Sequence, residues 1–279
     1  MSSSFSPIGR IVLVLLLLLG ALLSGAMGQV GVVGQWSTAS YQIPINPIHS
    51  ALLYNGKILV VAGSGNCLPS VAGCPQGPPY GPANGSGAVL VDPVTGTITP
   101  FTLSWDMFCN GMVVLPDGRA FINGGTLEQN PNFTGSQQSA VFDPSTNTFT
   151  DVQNMAHGRW YPTVTTLADG RVMTFSGVDE NNNTNTTVEI YTVGSGWSTP
   201  YSAGWTPPLY PRMHLLPSGK VFFTGSDITT RLFDPGTHKW TTVGNRIWNG
   251  TRTYGASILL PWSGGWSPIL TRARLAAFI

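Results

Sequence analysis

Thiols and imidazoles are scarce in this chain, so each one carries weight. The cysteines are Cys67, Cys74 and Cys109, and the histidines are His49, His157, His214 and His238. Cys67 and Cys74 share one Pro/Gly-rich loop. In an oxidising compartment such a pair closes a local disulfide, and two free thiols are the alternative. No histidine lies beside them, which makes the loop a poor metal site. Cys109 is left over. An odd cysteine is either a buried, inert thiol or a reactive one, and its surroundings bear on which.

Those surroundings are a repeated unit. Val113 to Leu115 suits a buried strand, because β-branched and aliphatic side chains fit a packed, pleated surface. Asp117-Gly118 predicts a two-residue hairpin turn, since Gly accepts positive φ. Ala120 to Ile122 returns as a second strand, and Gly124-Gly125 ends it and admits another backbone. The same plan runs from Tyr161 to Gly177 and from Tyr210 to Gly225, with an earlier copy from Pro47 to Gly63 and a later one starting at Tyr254. The turn glycines Gly56, Gly118, Gly170 and Gly219 stand 62, 52 and 49 residues apart. A second marker falls between them, at Val91-Asp92-Pro93, Phe142-Asp143-Pro144 and Phe233-Asp234-Pro235, with Phe149, Trp197 and Trp240 as following aromatics. Four short strands in about 50 residues, repeated, predict an all-β, kelch-type β-propeller. Residues 29–261 would supply about five blades, and 262–279 form a divergent tail without a turn dipeptide.

Register links the odd cysteine to a tyrosine. Seven residues before the position that precedes each turn dipeptide stand Pro47, Cys109, Tyr161, Tyr210 and, in the last copy, Tyr254. Each begins the innermost strand of its blade, so their side chains gather at one mouth of the central channel. Cys109 and Tyr161 belong to consecutive blades, whose faces pack roughly 10 Å apart. A tyrosine ring covers most of that gap, and a cysteine opposite closes it.

These motifs resemble a known family. Trp105-Asp-Met-Phe-Cys-Asn-Gly followed by Leu-Pro-Asp-Gly-Arg is similar to the segment carrying the crosslinked cysteine of glyoxal oxidase and galactose oxidase. Gly158-Arg-Trp-Tyr-Pro-Thr followed by Ala-Asp-Gly-Arg-Val is similar to the segment carrying its tyrosine partner. The resemblance to plant glyoxal oxidase-like aldehyde oxidases covers about residues 30 to 261. It implies a copper-radical oxidase with a Cys109–Tyr161 thioether. Tyr161 oxygen would bind copper and its ring would hold the radical. An aldehyde would then pass two electrons to O₂ and give H₂O₂. The family fold has seven blades followed by a β-sandwich. Its further copper ligands, a Tyr-His pair and a later His, come from blades beyond residue 261. No histidine here sits in such a pair. His214 is a weak candidate substitute, on the Tyr210-Arg212-His214 face. Copper and crosslink are therefore expected in the complete family protein and neither in these 279 residues alone. Arg159, Arg212 and Arg252 either orient a carbonyl substrate or bond strand-end carbonyls.

Composition bounds the partners. Charged residues are 9% of the chain, against a usual figure of about 25%. No basic patch is visible, which argues against nucleic acid. Residues 1–28 read as a secretory signal peptide, with Arg10 the one charge, Ile11 to Leu23 apolar and small residues before Gln29. A transmembrane anchor is the rival, but the apolar run is short of the roughly 20 residues a span needs. The expected destination is extracellular or cell wall, with no membrane attachment after cleavage. Acceptor triplets for N-glycans stand at Asn84, Asn132, Asn182, Asn185 and Asn249. A non-catalytic secreted propeller that binds a glycan or protein is the alternative function. An open ring also predicts marginal folding and self-association through its exposed edge.

Overall fold

The computed structural model describes residues 38–66, 87–129, 131–247, 250, 251, 253 and 255–259. The leader, Cys67, Cys74, Asn84, Asn249, Arg252, Tyr254 and the tail lie outside the described residues. Residues 38–42, which form no strand or helix, belong to a separate leading unit. The second unit starts at Ile43.

Among the described residues, four antiparallel sheets of four or five strands follow one another. The first holds β1 (His49–Leu52), β2 (Ile58–Val61), β3 (Ala88–Val91) and β4 (Ile98–Phe101), paired in chain order. The second opens with β5 (Gly111–Val114) and β6 (Ala120–Asn123). A side hairpin follows, β7 (Thr126–Glu128) with β8 (Thr134–Gly135), and the sheet closes with β9 (Ser139–Asp143) and β10 (Thr148–Val152). The third holds β11 (Thr163–Thr166), β12 (Val172–Phe175), β13 (Thr187–Thr192) and β14 (Gly196–Trp197), with β15 (Tyr201–Ser202) also on β13. The fourth holds β16 (Arg212–Leu215), β17 (Val221–Gly225), β18 (Thr229–Asp234) and β19 (Lys239–Asn245). The first strands neighbour one another in turn, β1 beside β5, β5 beside β11 and β11 beside β16. That is a β-propeller, with the fifth repeat falling mostly outside the described residues.

The hairpin turn differs from the sequence expectation. Leu115 N–H donates to Arg119 C=O at 2.8 Å and Gly118 N–H to Leu115 C=O at 2.9 Å. The loop is therefore three residues, Pro116-Asp117-Gly118, and only the glycine needs left-handed backbone, at φ 86°. Such a turn carries its glycine in the last place. Leu53, Leu167 and Leu216 make the same pair of bonds around Gly56, Gly170 and Gly219. The Asp-Pro marker is also explained. Asp92, Asp143 and Asp234 each accept backbone N–H bonds from residues two or three further on, turning the third strand into the fourth.

Successive side chains on a strand point to opposite faces, and the middle strands use both. Ala120 and Ile122 join Leu59, Val61, Ala88, Leu90, Trp105 and Phe142 between the first and second sheets. Phe121, between them in sequence, joins Val141, Val172 and Tyr191 between the second and third. Met173 and Phe175 then join Val188, Ile190, Val221 and Phe233 between the third and fourth. The marker aromatics seal these layers from directly opposite positions, Phe149 across from Phe142, Trp197 from Tyr191 and Trp240 from Phe233. First strands are mostly half-buried instead, as strands lining a channel are.

Candidate active site

The residues that begin consecutive first strands meet, as their register predicts. Tyr161 N–H donates to Cys109 C=O at 3.0 Å, and Tyr210 N–H donates to Tyr161 C=O at 3.0 Å. One backbone bond per blade thus passes the chain of contacts around the channel. All three residues sit in the left-handed region, at φ 61°, 69° and 44°. Bulky side chains rarely accept that backbone, and such strain clusters where a side chain must be aimed. Here the twist turns the two tyrosine rings onto each other, 4.4 Å between centroids and 21° from parallel.

The Cys109 segment is clamped from several sides. Asp106, buried, accepts Ser64 N–H at 2.8 Å and Phe108 N–H at 3.0 Å on one oxygen. The other oxygen takes the Ser64 hydroxyl at 2.5 Å and the Gln129 amide at 3.2 Å. Trp105 Nε1–H donates to Gly124 C=O at 2.9 Å, and Asn110 Nδ2–H to Met107 C=O at 2.7 Å. Gly124 and Gly125 are glycines for the reason expected. A Cβ on Gly124 would collide with the Arg159 carbonyl, and one on Gly125 with the Asp106 carbonyl.

The Cys109 side chain is 3% exposed. Burial pushes its thiol up to about 12, against an opposing pull from hydrogen bonds with the Tyr161 and Tyr210 side chains. It is a protonated thiol at neutral pH, not a free thiolate nucleophile. Tyr210 Oη lies 3.2 Å from the Asn110 carbonyl, to which it donates, and 3.0 Å from His49 Nε2. Burial raises the Tyr210 phenol above its ordinary range and lowers His49 to about 4. The imidazole facing this cluster is therefore neutral.

Residues 85–269, two thirds of the chain, match the family described as the glyoxal oxidase N-terminus. The chain belongs to that family. The aldehyde oxidase GLOX of Vitis pseudoreticulata is 26% identical over 273 residues, covering 88% of this chain and 50% of its own length. Art an 7 of Artemisia annua is 24% identical over 253 residues, covering 82% of this chain and 41% of its own. A fungal alcohol oxidase solved in complex with copper shares the fold, with a TM-score of 0.62 at 20% identity, over 81% of this chain and 47% of that one. The chain thus spans half or less of the length of these relatives.

Other sequence candidates of the glyoxal oxidase family reading fall elsewhere. His214 turns to Ser257, with Nε2 2.7 Å from the hydroxyl. Arg159 is fully buried. It donates to the Ser176 and Thr187 carbonyls at 3.0 Å and pairs with buried Glu189 at 2.9 Å, so it ties the third sheet together and faces no substrate. Arg212 donates to the Gly255 carbonyl at 3.0 Å. Asn185, an expected glycan acceptor, is 4% exposed; its Nδ2 donates to Gly158 C=O, and its Oδ1 accepts both the N–H and the hydroxyl of Thr187. Asn132 and Asn182 are exposed. The residue that the sequence reading missed is His49. Only its place two positions after Pro47, equivalent to Arg212 two after Tyr210, pointed toward the channel.

Proposed function

We propose that this chain carries the Cys–Tyr half of a copper-radical oxidase site and that the reaction it serves is oxidation of small aldehydes by O₂. The observation that supports this most is the Cys109 thiol in hydrogen-bond contact with the Tyr161 phenol, held there by a backbone bond between the same two residues. A pair of this kind fits the group that the family implies. A protonated thiol against a phenol ring is the precursor of a thioether, and a phenol oxygen is a fitting donor to Cu(II). Tyr161 would hold the metal through that oxygen. Bound there, copper would supply one electron of oxidising capacity and the crosslinked ring the other. The chain's own residues position and exclude. Asp106 and Asn110 fix the strand entry, the left-handed turn aims Tyr161, and the rings of Trp160 and Tyr210 cover its two faces.

The nitrogen donors are another matter. Imidazole suits Cu(II), but His49 is engaged with Tyr210, and no group of three or more His, Cys, Asp or Glu gathers among the described residues. Oxidase activity is accordingly assigned to a chain continued to the length of its relatives. Secretion, through residues 1–28, belongs to the same reading. The test is copper loading of such a continued chain with small aldehydes, followed by H₂O₂ assay. Copper-dependent H₂O₂ that disappears in Tyr161→Phe is expected. Undiminished H₂O₂ in that variant would refute the role of Tyr161.

A further inference from the structure

A carboxylate is buried shortly before Cys109 in the chain. Asp106 is 2% exposed, and among the described residues no ion pair reaches it. Burying a charge without a cation is costly, and hydrogen bonds must offset it. Asp106 Oδ1 accepts the Ser64 and Phe108 N–H groups at 2.8 and 3.0 Å. Its Oδ2 accepts the Ser64 hydroxyl at 2.5 Å and the Gln129 amide at 3.2 Å. Gln129 Nε2 also reaches the Ser64 hydroxyl, at 2.9 Å. These donors come from separate elements. Ser64 lies in the turn Gly63–Asn66 after β2, Gln129 follows β7 of the side hairpin, and Phe108 immediately precedes Cys109. The fit is close, since a Cβ on Gly63 would collide with the Phe108 nitrogen and with Asp106 Oδ1. The backbone adds to it. Asp106 C=O accepts Thr126 N–H at 2.9 Å, and Phe108 C=O accepts the Thr126 hydroxyl at 3.2 Å. Phe108 is therefore held at its N–H and at its C=O. Cys109 follows with φ 61°, its own C=O taken by Tyr161 N–H. The carbonyls on both sides of that φ are pinned.

We propose that Asp106 is a positioning residue for the Cys109–Tyr161 pair. It acts through the Phe108 N–H and through the turn and hairpin that it gathers, which together keep Cys109 in left-handed backbone with its side chain on Tyr161. Without this clamp the chain relaxes toward the extended backbone that a cysteine prefers, and the sulfur leaves the ring. The inference rests on the reading of Cys109 and Tyr161 as crosslink partners, and it makes the first sheet and the side hairpin part of what sets their approach. Residue type follows from the acceptor count. Asparagine at position 106 keeps one oxygen for the Ser64 and Phe108 N–H groups, and a Gln129 amide turned over accepts from its nitrogen. Alanine loses every acceptor.

The experiment labels the metal-free chain with N-ethylmaleimide under native conditions and follows Cys109 by peptide mapping, with urea midpoints measured on the same samples. Phe233→Leu, a cavity in the fourth sheet, serves as the control for general loss of stability. Asp106→Ala should label Cys109 about tenfold faster than Phe233→Leu, because its opening is local to the Cys109 segment. Asp106→Asn should stay close to the unaltered chain. Ser64→Ala removes only the hydroxyl donor, and it should speed labelling severalfold even where Asp106→Ala fails to fold. In a chain continued to the length of its relatives and loaded with copper in air, the yield of the Cys109–Tyr161 thioether should fall severalfold in Asp106→Ala and recover in Asp106→Asn. Labelling in Asp106→Ala no faster than in Phe233→Leu, or in Ser64→Ala no faster than in the unaltered chain, overturns the proposal. So does a full thioether yield in Asp106→Ala. A continued chain that forms no thioether with Asp106 intact overturns the crosslink reading instead, and the labelling rates then decide the clamp by themselves.

Discussion

Left-handed backbone at Cys109, Tyr161 and Tyr210 is strained for side chains of that size, and each would relax if nothing held it. What holds it is the neighbouring blade, with Tyr161 N–H on the Cys109 carbonyl and Tyr210 N–H on the Tyr161 carbonyl. His49 is tuned by the same crowding. Burial keeps its folded value near 4, below the ordinary 6.5. On acidification the unfolded chain therefore takes the proton first. Its contribution to stability is complete above pH 6.5 and is lost as pH falls from 6.5 to about 4, by up to about 3 kcal/mol. Urea titrations across that window should show the loss, and His49→Gln should flatten it. Asn185 gives a second residue-level expectation. Glycopeptide mapping of secreted protein should find no sugar there, while exposed Asn132 and Asn182 remain open acceptors.

Elements were largely legible because each strand pair carries its own turn chemistry. Gly56, Gly118, Gly170 and Gly219 mark the hairpins in sequence, yet the turn came out one residue longer than Asp-Gly suggests. The extra residue is hidden in the Pro116-Asp117-Gly118 triplet, where only the last φ is positive. Two kinds of glycine predict different costs. Gly56→Ala meets open space, so it should cost only the conformational penalty of about 1–2 kcal/mol. Gly124→Ala adds a collision with the backbone carbonyl of Arg159, which cannot rotate away, and should cost clearly more than Gly56→Ala in the same denaturation assay. Arg159 read from sequence as either substrate-facing or structural, and burial settles it. Arg159→Met or Glu189→Ala strands the other charge in the third sheet. Each single change should destabilise by about 3–5 kcal/mol, with the double replacement milder than the sum.

At the scale of the whole molecule, the propeller and the meeting of Cys109 with Tyr161 followed from register alone. A repeat fixes where equivalent residues stand around an axis. The His49–Tyr210 contact did not follow, because it joins the first and fourth sheets across 161 residues and depends on how far the ring of blades curves. Sequence spacing within one blade carries no information about that curvature. The pairing of Tyr161 with both Trp160 and Tyr210 was hidden for a related reason, since ring orientation depends on the left-handed φ values and not on register.

The most direct test of the account is peptide mapping of a copper-loaded chain continued to the length of its relatives. Two-electron oxidation of the Cys109 thiol and the Tyr161 ring removes two hydrogens and leaves a carbon–sulfur bond. The account predicts a fragment joining Cys109 to Tyr161, two hydrogens lighter than its parts, stable to reductant, and absent both without copper and in Tyr161→Phe. The 279-residue sequence treated in the same way should keep Cys109 as a thiol, because no group of three or more His, Cys, Asp or Glu gathers among its described residues to hold copper there. A copper-loaded continued chain in which Cys109 and Tyr161 are recovered as separate, unmodified peptides would contradict the account.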